Sequence, residues 1–179
     1  AVLRRFRRAV LYINGGGSLM QDVTSTRSLK YYLLTLDAAK KFGCKVMMYG
    51  CGIGPIRREY NRRHAARTIN RSVDLITLRD DLSRGELTRM GIVEPEIKLA
   101  ADPTIILHPA GDAQMDQVME TLGIPVGGKY LGFGLRSWHG LESVAGEIVR
   151  AAEYAHEKYG LIPVFVPIEF PSDLTPARM

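Results

Sequence analysis

Apolar and polar positions follow two rhythms along this chain, one of period two or less and one of helical spacing. Ala9-Val10-Leu11-Tyr12-Ile13 is a short apolar run that stops at Asn14-Gly15-Gly16-Gly17-Ser18, the pattern of a buried strand ending in a glycine loop. Leu29, Tyr32, Leu33, Leu36 and Ala39 recur at helical spacing and predict a helix over residues 28–42, with Gly43 at its C-cap. Val46-Met47-Met48-Tyr49 predicts a second strand, which again runs into glycines at Gly50, Gly52 and Gly54. A basic helix follows over residues 59–72, then a strand over 73–78 that ends at Arg79-Asp80. A helix over 82–90 closes at Gly91, and a short strand over 97–100 leads to Ala101-Asp102-Pro103. Strands alternating with helices predict βαβ units and a parallel sheet, an α/β fold.

Prolines and glycines between His108 and Gly128 bracket a short helix and mark residues 109–128 as a linker. It separates a first domain over 1–108 from a second that opens at 129. There, residues 130–136 read as a strand and its end, carrying Gly132 and Gly134. Leu141, Ala145, Ile148, Ala152 and Ala155 mark the inner face of a long helix that stops at Gly160, and residues 161–168 read as another strand. Two strands and one helix cannot complete such a sheet. The expectation is therefore a fragment: one α/β domain, with or without an earlier opening strand, plus the start of a second over 129–179.

The 179 residues are 46% hydrophobic, enough for a substantial core, and no stretch reaches the roughly 18 consecutive apolar residues of a membrane span. A net charge of +5 favours anionic partners without naming one. Cys44 and Cys51 lack a CxxC spacing and read as reduced thiols of a cytoplasmic protein. His64, His108, His139 and His156 lack metal-ligand spacing, so no metal is expected. Neither a P-loop, a GxGxxG fingerprint nor a GxSxG elbow occurs. Glu59, Arg63, Arg67 and Arg71 share one helical face, which reads as solvated and is compatible with contact to an acidic polymer or a membrane surface. Aromatics are not interleaved with these cations, which argues against nucleic acid. Arg4, Arg5, Arg7 and Arg8 read as an exposed helix end.

Candidate chemistry gathers at the strand ends. Gly15, Gly16 and Gly17 with Ser18, then Gly50, Gly52 and Gly54, then Gly132 and Gly134, bring bare backbone to one edge of a sheet. That suits a cleft for a phosphorylated or sugar ligand, and it also suits plain turn geometry and helix–strand packing. Asp22 is either a general base that orients a hydroxyl or a cap for the adjacent helix, beside Thr24, Ser25 and Thr26. Arg136 is either a bidentate anion ligand or a surface arginine stacked on Trp138, with His139 next to it as a candidate acid by position alone. At Arg79-Asp80, an ion pair or a cap by Asp80 or Asp81 is the plainer account.

Gly15-Gly16-Gly17-Ser18-Leu19-Met20-Gln21-Asp22-Val23-Thr24-Ser25, with Arg27-Ser28-Leu29 and Tyr31-Tyr32-Leu33, resembles the polysaccharide pyruvyl transferase family, most closely its bacterial branch that modifies cell-wall polysaccharide for S-layer anchoring. Gly52-Ile53-Gly54-Pro55, Leu78-Arg79-Asp80 with Ser83, Ala101-Asp102-Pro103 and Leu135-Arg136-Ser137-Trp138 match in the same order. The resemblance implies two Rossmann-like domains in a GT-B-like arrangement, with phosphoenolpyruvate as donor substrate, no cofactor, and a lipid-linked or polymeric saccharide as acceptor. It implies that Arg136 binds the donor, that Gly15, Gly16, Gly17, Ser18, Gly52 and Gly54 line the substrate cleft, and that Asp22 orients or deprotonates a hydroxyl. Cys51 stands where glutamine is expected, and Asn14 and Met20 are milder departures. The family's essential histidine would fall after Met179, so the 179 residues alone are expected to be inactive. A cytoplasmic place at the inner face of a membrane fits this reading, as does a homo-oligomer. A nucleotide-sugar glycosyltransferase of GT-B type and a non-catalytic α/β binding module are the alternatives.

Overall fold

The computed structural model describes residues 2–137, 140–169 and 173. The chain divides into two compact units, Ala1–His108 and Pro109–Met179. The first contains α1 (Val2–Phe6), β1 (Leu11–Asn14), β2 (Gly17–Met20), α2 (Thr26–Lys41), β3 (Lys45–Ile53), α3 (Glu59–Ser72), β4 (Leu75–Leu78), α4 (Asp81–Arg89) and β5 (Glu96–Leu99), followed by a 3-10 turn at Pro103–Ile106. Its five strands form one parallel sheet in the order β1-β3-β4-β5, with β2 also paired to β3. This is a Rossmann-like α/β sheet flanked by helices.

Alternation within the strands decides which face is covered. Val46 and Met48 of β3 and Ile76 and Leu78 of β4 are buried against Leu29, Leu33 and Leu36 of α2, Ile69 of α3 and Leu87 of α4. These side chains are the hydrophobic core, and their burial supplies the main drive for folding. Leu11 (47% exposed) and Ile13 (50%) point away from that core. The helices begin and end where local chemistry dictates. Ser25 caps α2 by accepting from the N–H groups of Arg27 and Ser28 at 3.1 and 3.4 Å. At the other end Gly43 adopts φ +84°, its N–H meets the Lys40 carbonyl, and the Cys44 N–H meets that of Ala39, the paired bonds of a Schellman cap. Asp74 ties α2 to the start of β3 by accepting from Lys40 Nζ (2.8 Å), Lys45 Nζ (3.3 Å) and the Val46 N–H (2.9 Å).

The glycine-bearing strand ends are corrected by this architecture. Gly50 and Gly52 lie inside β3, which continues to Ile53 instead of stopping at Tyr49. Gly17 opens β2, so the triple-glycine segment is a break between two strands that pair successively with β3, not an open loop. Register slips on both sides of β3 across this stretch. Gly50 takes φ +59° there and lets the strand bulge without losing its pairing. Period-two burial fades at the bulge, which is why apolar pattern alone ended the strand early.

In the second unit, α5 (Asp112–Thr121) precedes β6 (Tyr130–Leu135), α6 (Leu141–Tyr159) and β7 (Ile162–Pro167). β6 and β7 pair in parallel from Tyr130↔Ile162 to Leu135↔Pro167, with the Phe133 and Phe165 rings stacked at 5.1 Å. Gly132 and Gly134 are interior to β6, again not at its end. α6 buries Ala152 and Ala155 and stops at Gly160, as its periodicity requires.

A Cβ at Gly50 would lie 2.4 Å from the Pro103 ring, whereas one at Gly43 would meet open space. Gly43→Ala carries only the left-handed backbone penalty of about 1 kcal/mol. Gly50→Ala adds a collision with a ring that cannot swing aside, for about 2 kcal/mol or more. Urea midpoints of the two variants should fall in that order.

Candidate functional site

Parallel strands deliver their carboxyl ends to one edge of the sheet, and four segments of the first unit meet there. Ser18 arrives on β2, Gly52 and Gly54 on and just after β3, Arg79 and Asp80 directly after β4, and Asp102 and Pro103 after β5. Gly50 donates its N–H to Thr77 Oγ1 at 2.8 Å, which locks β3 to β4 beside the Pro103 ring. Gly52 is the meeting point. A Cβ there would lie 2.7 Å from Ser18 Oγ and 3.3 Å from Arg79 Nη2, so both polar groups close over bare backbone. Arg79 donates from Nη1 to Asp102 Oδ2 at 2.7 Å and from Nη2 to Ser18 Oγ at 3.3 Å. Asp102 is itself held by the Thr104 N–H (3.0 Å) and Thr104 Oγ1 (2.9 Å). The Thr104 N–H, and after it Arg79, hold the Asp102 carboxyl at about 2.

Beside this cluster a cleft of 430 Å³ is bordered by Ser18, Gly52, Gly54, Asp80, Glu86 and Arg89, among others. Asp80 caps α4 by accepting from the Ser83 N–H at 2.7 Å, one of the two accounts expected of it; the Arg79 ion pair goes to Asp102 and not to Asp80. Buried Ser83 accepts from the Ile53 N–H at 2.8 Å and fixes the end of β3 to α4. Glu86 pairs with Arg62 and, at 2.9 Å, with Arg89. Burial acts to raise its pKa, but the bonds from Arg89 and Arg62 outweigh it and hold the carboxyl below its usual range.

Asp22 lies 9% exposed, and its carboxylate accepts three hydrogen bonds. Oδ1 accepts from the Arg57 N–H at 2.7 Å, and Oδ2 from the Arg58 N–H at 3.1 Å and Asn61 Nδ2 at 2.8 Å. Asn61 lies in the first turn of α3, and Arg57 and Arg58 lead into it; the N-cap residue, Arg58, makes no side-chain cap bond of its own. Asp22 therefore caps α3, while Ser25 caps the adjacent α2. Burial acts to raise the Asp22 pKa, yet the bonds from Asn61, Arg57 and Arg58 prevail and lower it. Of the two readings of Asp22, capping has this geometry behind it, for a helix one element later than the sequence suggested.

No curated protein matches the chain. A family model described as polysaccharide pyruvyl transferase matches residues 2–175. The chain belongs to the polysaccharide pyruvyl transferase family. It is thereby placed among transferases that act on polysaccharide.

In this pyruvyl transferase family member, Gly15 and Gly16 sit at the break between β1 and β2, with Gly16 facing the Gly50 carbonyl and Gly15 facing open space. Arg136 belongs to the second unit, directly after β6, with Nη2 3.5 Å from Glu169 Oε2 and a side chain 62% exposed. Buried Asp173 accepts from the Ser137 and Glu169 N–H groups at 2.6 and 2.7 Å and so joins the segments that follow β6 and β7. Trp138 and His139, paired with Arg136 in the sequence reading, lie outside the described residues. Cys51 is buried, and burial pushes its thiol up to about 11 against the opposing charge of Arg79, so it remains protonated at neutral pH. The basic helix divides its cations: Arg62 turns inward to Glu86, Arg71 pairs with Asp37, and Arg67 stays exposed. Among the described residues, no cluster could hold a metal ion and no helix is long and apolar enough to cross a membrane.

Sequence reasoning did not bring Arg79 and Asp102 together beside the cleft. One signal was present: both follow parallel strands directly, as the glycines do.

Replacing Asp22 by Ala strips an acceptor from two backbone N–H groups and from buried Asn61, for an expected loss of about 2 kcal/mol in urea unfolding. Because the Asp22 pKa is lowered on folding, its contribution is complete above the ordinary carboxyl value of 3.8 and fades as pH falls through the lower folded value. The deficit of Asp22→Ala should accordingly be largest at neutral pH and shrink below about pH 4.

Proposed function

We propose that the protein transfers a pyruvyl group from phosphoenolpyruvate to a sugar of a cell-wall or exopolysaccharide precursor, forming a cyclic ketal. The supporting observation is the family match across residues 2–175. A glycine-bordered cleft at the carboxyl edge of the first sheet suits a saccharide ligand of that kind.

The donor chemistry sets the demands. A proton added to the methylene carbon of phosphoenolpyruvate leaves C2 electrophilic, and one sugar hydroxyl bonds to C2 as it loses its proton. A second hydroxyl then bonds to the same carbon, and the C2–O bond to phosphate breaks. Phosphate departs with the electron pair, and the second hydroxyl proton goes to solvent or to phosphate. The protein must hold a phosphate and a carboxylate with cations and align two hydroxyls. Arg136 has the position and exposure for the anionic role: a planar guanidinium at the end of β6, loosely balanced by Glu169 at 3.5 Å. Asp22 acts as a positioning residue, fixing the approach to α3, because its carboxylate already accepts from the Arg57 and Arg58 N–H groups and from Asn61 Nδ2.

The complete gene product supplied with phosphoenolpyruvate and a pyranoside acceptor should release inorganic phosphate and form a pyruvylated sugar detectable by mass. Turnover of a UDP-sugar with none of phosphoenolpyruvate would replace this reading with a nucleotide-sugar glycosyltransferase. Arg136→Ala should weaken phosphoenolpyruvate binding by at least about tenfold, with Arg136→Lys recovering only part, since lysine lacks the bidentate fork. Titration calorimetry distinguishes the two variants, and unchanged affinity would remove Arg136 from the donor site.

A further inference from the structure

We infer that Arg4, Arg5, Arg7 and Arg8, on and just after α1, form a docking surface for an anionic phospholipid membrane, with Val10 as the apolar contact beside them. The surface lies at the edge of the sheet opposite the cleft, and it is independent of the proposed reaction.

Unmatched charge sets these arginines apart from those of α3. On α3, Arg62 pairs with Glu86, Arg63 with Glu59 and Arg71 with Asp37. Arg4, Arg5, Arg7 and Arg8 are all exposed, and none has a carboxylate partner among the described residues. They line one hollow of 490 Å³ with no acid in its wall. Arg4 and Arg7, like Arg5 and Arg8, stand three residues apart, a spacing at which like charges repel. An anionic surface laid against them removes that cost and adds attraction from each guanidinium.

Packing fixes where the cations stand. Phe6 is buried, its ring stacks on Phe42 at 6.4 Å, and its carbonyl accepts from Cys44 Sγ at 3.5 Å. The Arg7 guanidinium lies 5.8 Å over the Phe42 ring. These contacts hold α1 against the end of α2 and the start of β3, so its arginines join exposed Lys41 and Lys45 at the amino edge of the sheet. The nearest acids are already occupied: Asp37 meets Arg71 and Ser72, and Asp74 meets Lys40 and Lys45. Glu96, which opens β5 two strands away from β3, pairs with Lys98.

Apolar side chains beside the cations select lipid over other polyanions. Val10 is 84% exposed, and Leu11 and Phe42 are partly exposed next to it. At a bilayer surface, guanidinium groups reach headgroup phosphates while such side chains enter the acyl boundary. Nucleic acid fits less well. α1 runs only Val2–Phe6, too short to fill a groove, and the Phe42 ring is already covered by Phe6 and Arg7 instead of being free to stack on a base. Lys45 and Ile53 mark the two ends of β3, about 25 Å apart at strand rise, so docking through the amino edge leaves the cleft at the other edge open to water.

The complete gene product should co-sediment with vesicles of phosphatidylcholine containing about one third phosphatidylglycerol, and not with phosphatidylcholine alone. Raising salt from about 0.05 to about 0.5 M should release most of the bound protein, because screening weakens surface charge. Arg5→Gln combined with Arg8→Gln should weaken vesicle binding at least about tenfold. Arg67→Gln combined with Arg84→Gln removes equal charge from exposed positions of α3 and α4 and should leave binding unchanged. Val10→Ser should weaken it about threefold. Inorganic phosphate in about tenfold excess over lipid, at constant ionic strength, should not displace the vesicles. No vesicle binding, equal binding to neutral and anionic vesicles, equal losses in the two arginine pairs, or release by phosphate would each overturn the inference. Tighter binding of a single-stranded oligonucleotide, lost with Arg5 and Arg8, would overturn it in favour of nucleic acid. If the Arg5 and Arg8 variant does not fold, the lipid-composition and salt measurements on the unaltered protein decide. None of these readouts uses phosphoenolpyruvate turnover, so failure of the proposed reaction and failure of the docking surface are seen separately.

Discussion

Strand β3 carries no side chain at Gly50 or Gly52, and the carboxyl edge of the sheet is assembled on that bare backbone. Pro103 occupies the space that a Gly50 side chain would need, and Ser18 and Arg79 close over Gly52. These neighbours come from β2, from the end of β4 and from the turn after β5, so one short stretch sets the spacing of three other connections. The bulge at Gly50 is part of the same constraint. It keeps β3 paired to both neighbours while shifting register, with Cys51 and Ile53 still in the core and Gly52 and Ile53 at the cleft border.

Polar groups around this edge are arranged as a chain of supports, each closing a gap the backbone leaves open. Ser83 holds the Ile53 N–H, Asp80 holds the Ser83 N–H, Asp102 holds Arg79, and Asp22 holds the segment that leads into α3. Buried donors left without acceptors would cost more than any one of these bonds contributes. The cleft is therefore stiff for a reason separate from core packing. Glu86 extends the same logic across helices, since its two arginine partners come from α3 and α4.

The fold was legible in the sequence where one periodicity ran uninterrupted. The 59–72 helix, the 141–159 helix and the alternation that implies a parallel sheet all follow from apolar spacing, because packing against a sheet demands it. β3 was misjudged because its second half is glycine-rich and paired through backbone alone, so no side-chain pattern records it. Asp22 was recognised as a capping candidate, but its partner helix is set by tertiary approach across β3 and lies 35 residues away. The glycines of the first unit pointed to the edge of the sheet where Ser18, Gly52 and Arg79 meet. They could not reveal the Arg79–Asp102 pair, whose members stand 23 residues apart and meet only when β4 and β5 lie side by side.

The acids of the first unit also constrain how the proposed reaction can run. Asp22, Glu86 and Asp102 are all held below their ordinary pKa values by hydrogen bonds and cations, so all three are carboxylates at neutral pH. Protonating a carbon calls for a donor that still carries its proton near the working pH. Carboxyls stabilised as anions are the wrong groups for that step, and the surroundings that lower their pKa values are the ones that make them rigid supports. In the proposed chemistry these three residues therefore serve as supports of the sheet edge and its helices. The proton for the methylene carbon must come from a group outside this set.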